Sequence, residues 1–171
     1  MSIHNVIYIP DPRLRKMSVP ITVFDQALQK TVEDMFETMY AFNGCGLAAP
    51  QVGLNIRMTV IDCSRNKSQH LVLINPEIIE KSGEIREFQE GCLSVPDVYN
   101  TVKRNSQVKI RAQNQYGEFY EMEAEDLLAD CFQHEIDHLN GTLFIDYLSP
   151  IKRQLARKKV EKFVRENNKR M

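Results

Sequence analysis

DLLADCFQHEIDHLNG, residues 126–141, is the stretch that decides how this chain folds and where its chemistry lies. Its apolar residues recur at helical spacing, and Asn140-Gly141 is a typical end signal for a helix. One stripe of the predicted helix combines apolar residues with two histidines at 4-3-4 spacing: Leu127, Cys131, His134 and His138. Because the stripe is largely apolar, we expect it to point inward, where histidines need partners.

Two histidines four residues apart project from the same helix face and can chelate one cation. In QHEIDH (133–138) these are His134 and His138, and Glu135 directly follows the first. A carboxylate in that place reaches a water molecule beside the cation rather than the cation itself, as a general base must. The same short pattern also occurs by chance on ordinary surface helices, so the prediction depends on further residues.

A third ligand is needed, since two histidines leave a metal ion short of donors. The segment EGCLS (90–94) offers the thiolate of Cys92, and the preceding Gly91 lets the backbone approach closely. Cys₂His₂ and His₃ ligand sets fit less well. The four cysteines include no C-x-x-C pair, which argues against a zinc ribbon or a thioredoxin-like redox site.

The remaining patterns predict the elements around this helix. An amphipathic helix is expected over residues 25–43, with Asp25 as its cap, and GCGLAAPQ (44–51) after it is expected to be a loop that lies flat along a ligand. Three segments have the composition of strands: MTVID (58–62), LVLIN (71–75) and VKIRA (108–112). VKIRA is expected to pair with FYEMEA (119–124) as a hairpin, and a last helix begins near Ser149-Pro150.

The predicted fold class is therefore α+β: short antiparallel or mixed strands packed around a central metal-binding helix, with an N-terminal and a C-terminal helix. Length and composition indicate one domain, residues 1–171. No apolar run is long enough to span a bilayer, and the N-terminus has no apolar signal-peptide core, so we expect no membrane partner and a cytoplasmic location. The sparse cysteines are expected to be reduced.

Charge is distributed unevenly along the chain. Residues 151–171 contain nine Lys/Arg and two Glu, a net charge of +7. Because the whole chain has a net charge of −1, residues 1–150 have a net charge of −8. A basic helical terminus on an acidic body can bind nucleic acid or another anionic surface. A merely solvated helix face explains the pattern equally well.

Taken together, GCGLAAPQ, EGCLS and QHEIDH resemble the three motifs of the peptide deformylases, in the same order. These are metal-dependent enzymes that remove the N-terminal formyl group from nascent bacterial proteins. IPDPRLR (9–15) and LFIDYLSPIKRQ (143–154) also resemble that family, so the likeness covers almost the whole chain.

The resemblance implies a complete set of site residues. Three of them would hold one divalent ion per chain: Cys92, His134 and His138. Iron(II) is implied in the cell, although zinc, nickel and cobalt suit the same donors. Glu135 would transfer the proton, and the oxyanion would be bound by the side-chain amide of Gln51 and the backbone N–H of Leu93.

The implied substrate is an N-formylmethionyl peptide of variable sequence. Its candidate binding residues are Cys45, Gly46, Phe88, Glu90, Gly91, Leu127 and Cys131. For the apolar ones, packing in the core is an equally good interpretation. The backbones of Gly46 and Gly91 are expected to pair with an extended substrate as an added strand.

Three positions near the motifs affect what is expected of the pocket and the ligand loop. Asp130 stands where relatives often have an apolar residue, so either its side chain points outward or the pocket is more polar. Tyr99 replaces an Arg that some relatives have near the outer substrate residues. Arg104 is expected either to pair with Glu90 and hold the ligand loop or to lie free on the surface.

Two other functional classes share part of this pattern. A zincin-like metallopeptidase shares H-E-x-x-H, but it takes its third ligand downstream, where Asp146 is the main acidic residue and no histidine follows His138. A catalytically dead homologue would bind the ribosome through the basic C-terminal helix. Such proteins usually lose a ligand, the base or an oxyanion donor, and all of these are present here. Ribosome contact through residues 151–171 is also compatible with an active enzyme.

Overall fold

The computed structural model describes residues 2–170, and its regular elements follow the chain in an α+β order. The helices are α1 (Gln26–Ala41), α2 (Asp126–Leu139) and α3 (Pro150–Arg170). The strands are β1 (Gly46–Ala48), β2 (Met58–Ile61), β3 (Leu71–Cys92), β4 (Val95–Gln113) and β5 (Phe119–Glu125). Short 3₁₀ turns cover Pro12–Arg15, Ala49–Val52 and Phe144–Tyr147.

Within residues 2–170 the five strands form one antiparallel sheet in the order β1-β2-β3-β4-β5. The predicted α+β class is confirmed, but β3 and β4 are much longer than the sequence pattern indicated. Their pairing runs the length of both strands with several register shifts, and it ends at Cys92 opposite Val95. EGCLS is therefore the tight end of a long hairpin, which holds the cysteine at a defined place.

Helix α1 agrees with its prediction in detail. The Asp25 side chain caps it by accepting a hydrogen bond from the backbone N–H of Leu28 (2.9 Å). Its apolar face packs into a core cluster with residues of the first three strands, among them Leu47, Met58 and Val72. The GCGLAAPQ segment after it was expected to be a loop, but Gly46–Ala48 joins the sheet as β1 beside β2.

The predicted β4–β5 hairpin is present. Ile110 lies opposite Met122 and Ala112 opposite Tyr120, so the two strands share one apolar face. At the turn, Gly117 has a φ of +85°, a conformation that side chains disfavour. The register therefore follows from the alternation and the turn together.

Helix α2 lies against this sheet. Its sheet-facing side buries Ala129, Phe132 and Ile136 with Ile61 and Ile110 in a second core cluster. Its other side faces β1 and the β3–β4 hairpin end, and carries the histidines. Packing on one side thus fixes the direction of the polar groups on the other.

Helix α3 is not a free basic tail. Ala156 and Val160 are buried in a cluster with Val95 and Val98 of β4, and Phe163 makes an edge-to-face contact with Tyr8. Its other face exposes the lysines and arginines. None of the helices in the described residues has the length and apolar character needed to cross a membrane.

Candidate active site

Three donor atoms converge between α2 and the hairpin end. The Sγ of Cys92 lies 3.2 Å from Nε2 of His138, which in turn lies 3.2 Å from Nε2 of His134. All three atoms lie within 4.8 Å of one another. Two imidazoles and a sulfur at such spacing match the donor types and ligand separations of a transition-metal site. The residues present therefore fit a divalent ion, as the sequence predicted.

The histidine His134 is held from behind by a buried ion-pair network. Its Nδ1 lies 2.8 Å from Oε1 of Glu90, which directs Nε2 toward the other two donors. Arg104 donates to both oxygens of Glu90 (2.8 and 3.0 Å) and to Asp137 (2.8 Å), to which the Tyr147 hydroxyl also donates. Of the two expectations for Arg104, the structure shows the pair with Glu90.

The charge state of Glu90 follows from these contacts. Burial acts to raise the pKa of its carboxyl, but the hydrogen bonds from His134 and Arg104 outweigh it and bring the pKa to about 2. Glu90 is therefore an anion that orients a histidine. Although it lines the cavity as predicted, both of its oxygens are already hydrogen-bonded.

Glu135 is buried next to the three donors without being one of them. Its Oε1 lies 3.7 Å from Nε2 of His134, and its Oε2 accepts a hydrogen bond from Thr59 (3.3 Å). A Cβ at Gly46 would meet this side chain at about 3.0 Å, so a larger residue where β1 passes it would press on Glu135. Burial raises the pKa of Glu135 to about 7, even though the charge on His134 acts to lower it.

Gln51 presents its amide to the same place. Its Oε1 accepts from the backbone N–H of Ala48 (2.9 Å), which fixes the orientation of the amide group. Its Nε2 consequently points at the site, donating to Ser94 (3.2 Å) and lying 3.4 Å from the Sγ of Cys92. Leu93, the other predicted donor, lines the cavity beside it.

A cavity of about 660 Å³ opens onto these groups. It is lined by every residue predicted to bind substrate: Cys45, Gly46, Phe88, Glu90, Gly91, Leu127 and Cys131. Leu127 is a wall residue and not a core residue, because it is 43% exposed and lines the cavity. Cys131 is buried and contributes to both the core and the wall.

Asp130 and Tyr99 also border the cavity. Asp130 is buried and accepts a hydrogen bond from Arg86 (3.0 Å), so its side chain points inward and this edge is polar. Burial raises the pKa of Asp130 to about 6 despite Arg86. Tyr99 lies beside Gly91: a Cβ at Gly91 would come within 2.6 Å of the Tyr99 ring, so a larger residue there would displace this exposed side chain.

Sequence reasoning missed several residues that the fold brings to the site. Four support the polar groups, namely Thr59, Ser94, Asp137 and Tyr147. Three others line the cavity from the two ends of the chain, namely Tyr8, Phe163 and Asn167. Thr59 is the polar residue in an otherwise apolar strand, which is a usable signal. Asp137, Ser94 and Tyr147 lie within the quoted motif segments, but nothing in those segments indicates which residue each would contact.

Comparison with known proteins agrees with this geometry. Residues 3–154 match the sequence profile of the family described as polypeptide deformylase. The chain is 55% identical over 162 residues to a peptide deformylase of Hahella chejuensis, covering 95% of this chain and 96% of that protein.

Solved structures give the same result. A peptide deformylase from Legionella pneumophila superposes with a TM-score of 0.95 at 49% identity, over 98% of both chains. One from Synechococcus elongatus, in complex with actinonin, superposes with a TM-score of 0.86 at 40% identity, over 91% of this chain and 85% of that one. On the match of its sequence and of its fold, this chain belongs to the polypeptide deformylase family.

Proposed function

We propose that this protein hydrolyses the formyl amide at the N-terminus of formyl-methionyl nascent polypeptides and releases formate and a free amine. The observation that carries the proposal is the convergence of Cys92, His134 and His138 beside a buried glutamate, at the bottom of a cavity wide enough for an extended peptide end. An amide hydrolase needs an activated water, a proton carrier and an oxyanion site, and each has a suitable residue here.

The three converging donors would hold one divalent ion. When bound, that ion supplies Lewis acidity toward a water molecule and toward the formyl carbonyl oxygen. Iron(II) is proposed as the ion in the cell, on the family resemblance and on a thiolate–imidazole donor set that accepts it. The same thiolate at Cys92 makes the site sensitive to oxidation, so anaerobic purification should preserve activity that air removes.

Glu135 is the proton carrier in this proposal. It accepts a proton from the attacking water and delivers it to the amine as the C–N bond breaks. Burial raises the pKa of its carboxyl above the usual range for a glutamate, which favours uptake of a proton from water. Thr59 hydrogen-bonds to the carboxyl, and the missing side chain at Gly46 leaves room for it.

Gln51 and Leu93 stabilise the negative oxygen of the tetrahedral intermediate. The Gln51 amide is suited to this because the bond from Ala48 has already oriented it, although Nε2 must exchange one of its present contacts for the oxyanion. The backbone N–H of Leu93 adds a second donor from the hairpin end. Neither group changes its charge during the reaction.

Replacing Gln51 by leucine should lower kcat by about 10²–10³, equivalent to about 2.7–4 kcal/mol of barrier, because one oxyanion donor is lost. KM should change little, since the donor acts mainly on the transition state. The measurement is steady-state formate release from a formyl-Met peptide. Gln26→Leu, at the exposed start of α1, is the matched control. If Gln51→Leu raised KM by as large a factor as it lowered kcat, the assignment of Gln51 as a transition-state donor would be contradicted.

The cavity walls account for the proposed substrate. Phe88, Leu127 and Cys131 provide an apolar slot for the methionine side chain. The backbones of Gly46 and Gly91 border the same slot and can pair with the substrate as an added strand, which places few demands on its later residues. A sequence-tolerant enzyme results.

The direct test compares formyl-Met and acetyl-Met peptides with the same sequence. The anaerobically purified, metal-loaded enzyme should release formate from the first and leave the second and all internal peptide bonds intact. Cleavage of an internal peptide bond would instead favour the hypothesis of a zincin-like metallopeptidase. A metal-loaded protein that releases no formate would overturn the proposal and favour a dead homologue.

We propose that the basic face of α3 binds the ribosome near the emerging chain. Residues 1–171 are proposed to act as one catalytic domain in the cytoplasm. Support comes from the charge of +7 in residues 151–171 and from the exposure of its lysines and arginines. The helix also packs on β4 through Ala156 and Val160, so it holds its basic face in a fixed direction.

Deleting residues 151–171 would expose that core and confuse binding with unfolding, so a charge change is the better test. Lys158→Gln, Lys162→Gln and Arg165→Gln together should weaken sedimentation with ribosomes at low salt and leave formate release from a short peptide unchanged. The matched control changes Lys16, Lys30 and Lys81, which are exposed elsewhere. Equal ribosome binding by both triple variants would refute the contact.

A further inference from the structure

A second group of metal-binding side chains lies beside the proposed catalytic centre. The sulfurs of Cys45, Cys63 and Cys131 all lie within 4.8 Å of one another. Cys131 is 3.4 Å from Cys45 and 3.3 Å from Cys63. The proposed chemistry uses Cys45 and Cys131 only as parts of a wall and does not use Cys63 at all.

The three cysteines come from separate, well-anchored parts of the fold. Cys131 is in the middle of α2, Cys45 precedes β1, and Cys63 follows β2. Because Asp62 donates its backbone N–H to the carbonyl of Cys45 (2.9 Å), the two loops are joined beside the cluster. The sulfurs are thus brought together by the packing of the sheet and α2, not by a flexible terminus.

We propose that Cys45, Cys63 and Cys131 form a second metal site, which takes one thiophilic divalent cation of the zinc and cadmium class. Thiolates select soft and borderline ions of this kind. In a tetrahedral site with zinc–sulfur bonds of about 2.3 Å, the sulfurs are about 3.8 Å apart, so Cys131 needs to move away from Cys45 and from Cys63 by only about half an ångström. The thiols lose their protons as the ion binds.

Charge and access favour a divalent ion that enters from the cavity. Three thiolates around a divalent ion have a net charge of −1, whereas a monovalent ion would leave −2 close to the Glu135 carboxyl, which lies against Gly46 next to Cys45. Cys45 is exposed and lines the cavity, while Cys131 is buried. A fourth coordination position would therefore open toward the cavity.

The test uses the protein with nickel in its catalytic site, kept under a phosphine reductant so that disulfides do not form. Cadmium is added, unbound metal is removed, and both metals are counted by elemental analysis. The wild type should retain its nickel and gain about one cadmium per chain, with the ultraviolet charge-transfer band of cadmium bound to thiolates. Cadmium gained in exchange for nickel, or no cadmium gained, would overturn the proposal.

Cys63→Ser is the decisive variant, because Cys63 lies outside the proposed catalytic and substrate-binding machinery. It should retain nickel and formate release and lose the added cadmium together with its charge-transfer band. Cys131→Ser should also lose the cadmium while retaining nickel. This second variant shows that cadmium binding depends on the cluster and not on Cys63 alone. Full cadmium uptake by either variant would show that the ion binds elsewhere and would refute the three-cysteine site.

Discussion

Replacing Glu135 by glutamine is expected to lower kcat for formate release by about 10²–10⁴-fold, because the proton carrier between water and amine is lost. The bound metal should remain at the wild-type level, since Glu135 is not among the converging donors. Glutamine has the same shape and can keep the contact with Thr59, so the fold should not change. The measurements are kcat and metal content on the same preparation.

Glu123→Gln is the matched control, since it makes the same chemical change on the exposed face of β5. It should leave kcat and metal content unaltered. If Glu135→Gln lost its metal as well as its activity, the residue would be acting through the ion site. If the variant kept wild-type kcat, the proton would have to travel by another route.

Replacing Arg104 by leucine is expected to lower the free energy of unfolding by about 3–5 kcal/mol, because a buried carboxylate loses its partner. Arg104 and Glu90 are 6% and 5% exposed, so water cannot readily replace the lost hydrogen bonds. Glu90 would also hold His134 less firmly, and affinity for the catalytic ion should fall by about 10–100-fold. Chemical denaturation at a fixed concentration of free metal, together with a metal-binding titration, measures both effects.

Arg65→Leu, in the exposed loop after β2, should change neither quantity and controls for the loss of a positive charge. Arg104→Lys gives a further distinction, because it keeps the charge but loses the paired hydrogen bonds to Glu90. It should lie between the wild type and Arg104→Leu in stability. An Arg104→Leu protein as stable as the wild type would show that the network contributes little to folding.

Local features of the chain were predictable because their signals are local. The cap at Asp25, the helix around QHEIDH and the β4–β5 hairpin each depend on residues close together in sequence. The length of β3 and β4 was not predictable in this way. Their outer parts are largely exposed and polar, and they are strands because the two segments pair with each other, not because either has a strong apolar alternation.

The candidate site shows the same difference between local and long-range signals. Sequence alone predicted its chemically specific candidates, since His134, Glu135 and His138 share one helix face and Cys92 lies in a segment with a recognisable pattern. Only the tertiary structure decided what surrounds them: Thr59 on Glu135, Arg104 behind Glu90, and the approach of Cys63 to Cys131. Those contacts join residues far apart in the chain, and no local periodicity reports them. They exist because α2 is packed against the sheet, which brings its side chains up to residues from other parts of the chain.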